Sequence, residues 1–328
     1  MKKLSMCNIS VFENKHIILQ ISLFLDFMDA HNLLQTNRSI FKEISLFVFK
    51  NKRFAKSMVK NVIYRLDCTI SMRLRDIIVL FMRNTGGVCS GSLVLALLRN
   101  EMVFNDIDIF VPLYHNPTNY FETDIEDCKH FEEMKSNIWE LYSCKFRENV
   151  NRDRYNCFLK TYNIDIYIDE SFQHRLYNIN IIYVPVCGTE VVLEWINFMF
   201  DFDFLKNCFY VTTTKFSDDI CEGGENSIIF NLDIFNGINI IRRKSSKDNK
   251  CFRHRYEKYK DRGFDLHNCS IIEYTSAIHT KFYMFKRSLE FCVYLCEMLL
   301  NTDEDSLNRN GYIKRSLEIL NEIQCQQF

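Results

Sequence analysis

Proline and glycine are scarce. The 328 residues include three prolines and nine glycines, which excludes collagen, proline-rich linkers and flexible glycine-rich arrays. Long hydrophobic runs are missing too. The longest purely apolar stretches, such as residues 77–82, fall far short of the roughly 20 residues that cross a bilayer. Near the start, Asn8, Ser10, Glu13 and Asn14 interrupt the apolar stretch that a secretion signal needs. The expectation is therefore an intracellular protein, in cytoplasm or nucleus, with no membrane partner. An excess of one charge is also absent. Forty-one Lys and Arg face 42 Asp and Glu, a net charge of -1, so the whole chain is no polycation built to coat nucleic acid.

None of the fourteen cysteines forms a CxxC pair, so zinc-knuckle spacing is absent. Scattered from Cys7 to Cys325, they read as small core hydrophobes in a reducing compartment rather than as metal ligands. Cys292 and Cys296 are the closest pair, one helical turn apart in an apolar stretch. Walker A, GxSxG and HExxH runs are all lacking, and the eight histidines are dispersed. What is present is 47% hydrophobic and 25% charged, the balance of a globular chain long enough to bury a full core.

Charge is segregated along that chain. Residues 1–85 carry fourteen basic against six acidic side chains, residues 101–150 four against eleven, and residues 242–262 ten against three. Near-neutrality thus hides two basic segments and one acidic one. Three parts follow from the patterning: a short-helix module over 1–60, a core over 61–215, and a region over 216–328 with a hairpin at Asn236-Gly237, the basic segment and C-terminal helices. In the core, strands are expected at Ile107–Val111 (ended by Pro112), Ile164–Ile168, Ile179–Val184 (closed by Pro185), Phe200–Phe204 and Phe209–Thr213. Helices are expected at Leu93–Arg99, around Glu122–Leu141 and around Glu190–Phe198. That alternation predicts an α/β sandwich or an α+β fold with a sheet of mixed strand direction.

Three of the nine glycines, Gly86, Gly87 and Gly91, lie within six residues, and Gly91-Ser92 opens an apolar helix. Such a turn can be a tight strand–helix connection. It can also bring backbone and helix N–H groups close to a phosphate. Thirteen residues separate Ser92 from the run Asp106-Ile107-Asp108-Ile109. Acids at i and i+2 of a strand share one face while the isoleucines enter the core. Side-by-side carboxylates repel unless a cation lies between them, and oxygen ligands with few protein groups suit magnesium.

Gly91-Ser92 followed by Asp106-Ile-Asp108-Ile resembles the signature of the nucleotidyltransferase superfamily, the fold of polymerase beta. Ser90 departs from it where the pattern has an apolar residue. The resemblance implies a mixed β-sheet with flanking helices and an NTP bound over Gly91 and Ser92. It implies Mg2+ or Mn2+ on Asp106 and Asp108, and NMP transfer to a hydroxyl of RNA, a nucleotide or a protein. It also implies a third carboxylate, for which Asp201 in Phe200-Asp-Phe-Asp-Phe204 is favoured, with Asp203 and Asp165 as rivals. Residues 178–264 are similar to an uncharacterised branch of that superfamily found in large DNA viruses and some lower eukaryotes. The source could then be viral and the location a host cell. In the basic segment, Arg255, Lys258 and Arg262 interleave with Tyr256 and Tyr259 at helical spacing. That arrangement suits the polyphosphate of a nucleotide or an RNA backbone, or else a solvated helix face.

Ile18–Glu43 resembles an F-box, although its usual Leu-Pro opening is replaced by Glu13-Asn14-Lys15. This implies a possible Skp1 partner through residues 9–50, with the nucleotidyltransferase fold acting as an adaptor platform. The alternative is a helical cap on the catalytic core.

Overall fold

The computed structural model describes residues 64–99, 104, 106–114, 123–149, 160–168, 170–200, 202, 205–212, 225–229, 250–261, 277–301 and 307–325. In chain order these form α1 (Met72–Thr85), β1 (Val88–Ser90), α2 (Ser92–Arg99), β2 (Ile107–Tyr114), α3 (Thr123–Leu141) and β3 (Ser143–Asn149). There follow β4 (Lys160–Tyr167), β5 (Arg175–Cys187), α4 (Thr189–Met199), β6 (Cys208–Thr212), β7 (Glu225–Ile229), α5 (Lys250–Asp261), α6 (Ala277–Leu300) and α7 (Leu307–Cys325). The fold is mixed α+β. Seven strands make one sheet in the order β3-β4-β5-β2-β1-β6-β7. The central pair, β2 and β5, is parallel, and every other pair is antiparallel.

Period-two alternation divides the strands between two faces. On the first face Ile107, Ile109, Ile179, Ile181, Ile164 and Ile166 are buried in one cluster with Leu74, Ile78 and Phe81 of α1 and Phe131, Met134 and Ile138 of α3. On the second, Val88, Phe110, Val184 and Val186 pack with Val192, Trp195 and Ile196 of α4, Phe291 and Leu295 of α6, and Ile313 and Leu320 of α7. The C-terminal helices therefore share an apolar core with the sheet. Glu194 of α4 ties them further, accepting from the Tyr294 hydroxyl at 2.7 Å and from Arg309 at 3.2 Å.

Both prolines expected to end strands lie inside them. Pro112 is within β2 and Pro185 within β5. A missing N–H matters only where a neighbouring strand needs it. On β2 the pairing with β1 stops at Phe110, and on β5 the pairing with β4 stops at Tyr183. Each proline thus sits where its strand has lost one neighbour. The expected strand over residues 200–204 is a correction in the other direction. Phe200 and Phe202 lie outside the ladder, and Leu205 N–H closes a turn onto the Phe202 carbonyl at 3.0 Å. Phe202 is fully buried without a ladder partner. Strand β3 was not expected. Its outward charges mask the alternation of Cys144 and Phe146. Of the closest cysteine pair, Cys292 is half-buried and Cys296 exposed, while Cys89, Cys144, Cys187 and Cys208 are buried.

Candidate active site

The three clustered glycines have separate tasks. Gly86 ends α1 in the left-handed conformation at φ 68°, and its N–H bonds back to the Met82 carbonyl, as does that of Gly87. Gly91 stands at the turn from β1 into α2 with φ +85°. A Cβ built there would lie 3.1 Å from Asp108 Oδ2. Glycine is needed twice over, for the backbone angle and for the close approach of the carboxylate. The start of α2, with buried Ser92, is thereby brought against Asp108.

Register explains the neighbours of that acid. Asp108 on β2 pairs with Ser90 of β1 on one side and with Asn180 of β5 on the other. The Asn180 side-chain amide donates to Asp108 Oδ1 at 2.7 Å. Asp106, partly exposed just before β2, interacts electrostatically with Asp108, as does Lys258 of α5. Although an edge of Asp108 reaches solvent, protein packs densely around it. Burial pushes its carboxyl up to about 6, and the charge of Asp106 pushes the same way, against the Asn180 hydrogen bond and Lys258.

These residues fit a divalent cation. Asn180 takes Oδ1, and Oδ2 looks onto the recess that a side chain at position 91 would fill. Asp108 Oδ2, in surroundings that penalise its charge, and the neighbouring Asp106 are the oxygens that could hold a divalent cation such as magnesium or manganese. Among the described residues no three His, Cys, Asp or Glu side chains converge.

Of the remaining predicted residues, Lys258 is brought toward the acid pair. The adjacent Tyr259 is buried against Phe202, with ring centroids 5.7 Å apart. The Arg255 side chain, Arg262, Asp201 and Asp203 lie outside the described residues, as do residues 9–50 with the F-box resemblance and the Asn236-Gly237 turn. Asp165 is described and stands apart. It is on β4, with β5 between it and β2. It accepts from Asn178 at 2.7 Å, from Arg175 at 3.1 Å and from Arg147. Burial pushes this carboxyl up, but the Asn178 amide and the two guanidiniums outweigh it and hold the group below the usual carboxylate range.

Two contributors escaped the sequence reading. Asn180 lies in a strand that was expected, and its signal was an amide at every second position, Asn178 and Asn180, in an otherwise apolar run. Ser90 looked like a mismatch to an apolar position. Its fully buried hydroxyl sits 2.8 Å from the Asn207 carbonyl and 3.1 Å from that of Leu205, so it ties the segment after α4 to the strand beside Asp108.

Comparison with protein-family models finds no match to this chain, and neither does comparison with curated proteins. Among the described residues no helix is long and apolar enough to cross a membrane.

Proposed function

We propose that the protein is a magnesium-dependent nucleotidyltransferase that moves an NMP from an NTP to an acceptor hydroxyl. The observation that carries this reading is the contact between the Gly91 turn and Asp108, with Asp106 beside it. In this reading the turn would let backbone approach a phosphate at the point where the carboxylate would hold a metal. Asp106 and Asp108 would hold the cation, which when bound would supply positive charge against the phosphates. The N–H groups opening α2 at Gly91-Ser92 would face the triphosphate, and Lys258 and Arg255 would add positive charge. The acceptor oxygen forms a bond to the α-phosphorus as the bond to the pyrophosphate oxygen breaks. Its proton passes to a carboxylate, which this reading assigns to Asp201.

The test is titration of the four NTPs with and without magnesium, on wild type and on Asp106→Ala/Asp108→Ala. The reading expects nucleotide binding that requires both the metal and the acids, followed by release of pyrophosphate when an acceptor is supplied. Equal binding or turnover by the double variant overturns it.

A further inference from the structure

The polar half of the second sheet face continues well beyond the acid pair. Ser90, Asp108, Asn180, Asn163 and Arg147 pair in succession across β1, β2, β5, β4 and β3. They form one row of polar side chains pointing the same way. In the next row Asn178 of β5, Asp165 of β4 and Lys145 of β3 are paired. From Asp108 to Arg147 is three inter-strand spacings, about 14 Å.

The far end of this face is cationic and aromatic. Arg147 and Arg175 flank the buried Asp165, yet their side chains remain 59% and 49% exposed. Two guanidiniums serve one carboxylate, and their outer N–H groups face water. Lys145 Nζ lies 4.4 Å from the ring centre of Phe172 and 5.4 Å from that of Tyr167. These two rings meet edge to face at 5.1 Å. Phe172 has φ 54°, the one positive φ outside glycine among the described residues. For a bulky side chain that conformation is costly and tends to persist where function needs it. Phe172, at 36% residue exposure, stands beside Lys145.

We infer that Lys145, Arg147 and Arg175, with the Phe172 and Tyr167 rings, bind a short single-stranded nucleic acid, and that its terminal hydroxyl is the acceptor at Asp106 and Asp108. The assignment of the acceptor rests on the transferase reading above; the strand-binding surface does not. Cations spaced along one face suit successive phosphates, and a half-exposed ring offers a platform for one base. A duplex does not present its bases in that way. The near-zero net charge fits a short footprint, since only a few phosphates need to be met.

The experiment is fluorescence anisotropy of labelled twelve-nucleotide oligouridylate and oligodeoxythymidylate with the full chain in EDTA, without NTP. Lys145→Glu should weaken binding by about tenfold or more and flatten its salt dependence. Phe172→Ala should weaken it by about tenfold through lost stacking. Arg147→Ala should also weaken it, while Arg175 and Asn178 still hold Asp165; unchanged circular dichroism and melting temperature verify the fold of each variant. Lys314→Glu, an exposed site on α7, should bind as wild type. The assignment is overturned if wild type binds neither strand, if Lys145→Glu and Lys314→Glu lose affinity equally, or if polyglutamate of similar length competes as well as the oligonucleotide. Strand binding without magnesium-dependent nucleotide binding contradicts the transferase reading alone. Nucleotide binding without strand binding contradicts the surface alone.

Discussion

Asp108 and Asp165 stand on the same face of one sheet, with a single strand between theirs, and their surroundings are opposite. Asp165 is surrounded by an amide and two guanidiniums, and its carboxyl is held below the usual range. Asp108 has an amide on one oxygen, a second carboxylate nearby and a recess beside the other oxygen, and its carboxyl is pushed up to about 6. Both are packed in by protein. The difference lies in where the compensating positive charge comes from. Around Asp165 the chain provides it from β3 and β5. Around Asp108, among the described residues, the Asn180 amide and the attraction of Lys258 oppose burial and leave it dominant. A carboxylate neutralised by its own fold has a structural task. One left with a charge deficit has room for a cation from solution.

Removing the structural acid should do the greater damage. Asp165→Ala should cost about 3 kcal/mol in urea unfolding, at the low end for an internal ion pair because both arginines reach water. The wild-type contribution has a definite pH sense. A lowered carboxyl gives stability that is complete above its ordinary value near 4 and is lost as pH falls through the lowered one. Acid unfolding of Asp165→Ala should therefore be shallower than that of wild type.

Asp108 should behave in the reverse sense. Its raised carboxyl means that ionisation is penalised in the fold, so metal-free stability declines as pH rises from about 4 through about 6. In EDTA at pH 7.5, Asp108→Asn should be more stable than wild type by about 1–2 kcal/mol in the same assay. Equal or lower stability of that variant would equate the two acids and remove the contrast.

Ser90→Ala should cost about 1 kcal/mol, the net worth of a buried hydroxyl bonded to the Asn207 and Leu205 carbonyls. It sharpens the comparison because Ser90 is on β1, separated from the Asp165 strand β4 by β2 and β5. Magnesium-dependent nucleotide binding should weaken, whereas the acid-unfolding profile assigned to Asp165 should keep its shape. The smallest effect expected is from Asn180→Asp. A third carboxylate beside Asp108 should raise divalent-cation affinity several-fold in calorimetry and lower metal-free stability slightly, through added like charge.

The sequence made the acid pair legible because period-two alternation is a local property. Once Ile107 and Ile109 were assigned to the core, Asp108 had to take the opposite face of β2, whereas Asp106 lies just before the strand rather than on it. Gly91 was legible as a turn, but its contact with Asp108 depends on β1 and β2 pairing antiparallel, which no local pattern states. Asn180 depends on the parallel pairing of β2 with β5, two strands separated by α3, β3 and β4 in the chain. The partners of Asp165 come from β3 and β5, and β3 itself was hidden by Lys145 and Arg147. The alternation at Phe200–Phe204 misled, because a buried phenylalanine such as Phe202 does not require a ladder partner. Long-range pairing thus separates what was read from what was missed.

The most direct test of the account is a magnesium titration followed by thermal unfolding at pH 7.5, on wild type and Asp108→Asn in parallel. The account predicts that the order of stability reverses. Without metal the variant melts higher; with saturating magnesium wild type rises above its metal-free value by several degrees and the variant does not move. A wild-type protein that gains no stability from magnesium or manganese at any concentration would contradict the claim that Asp106 and Asp108 form a cation site.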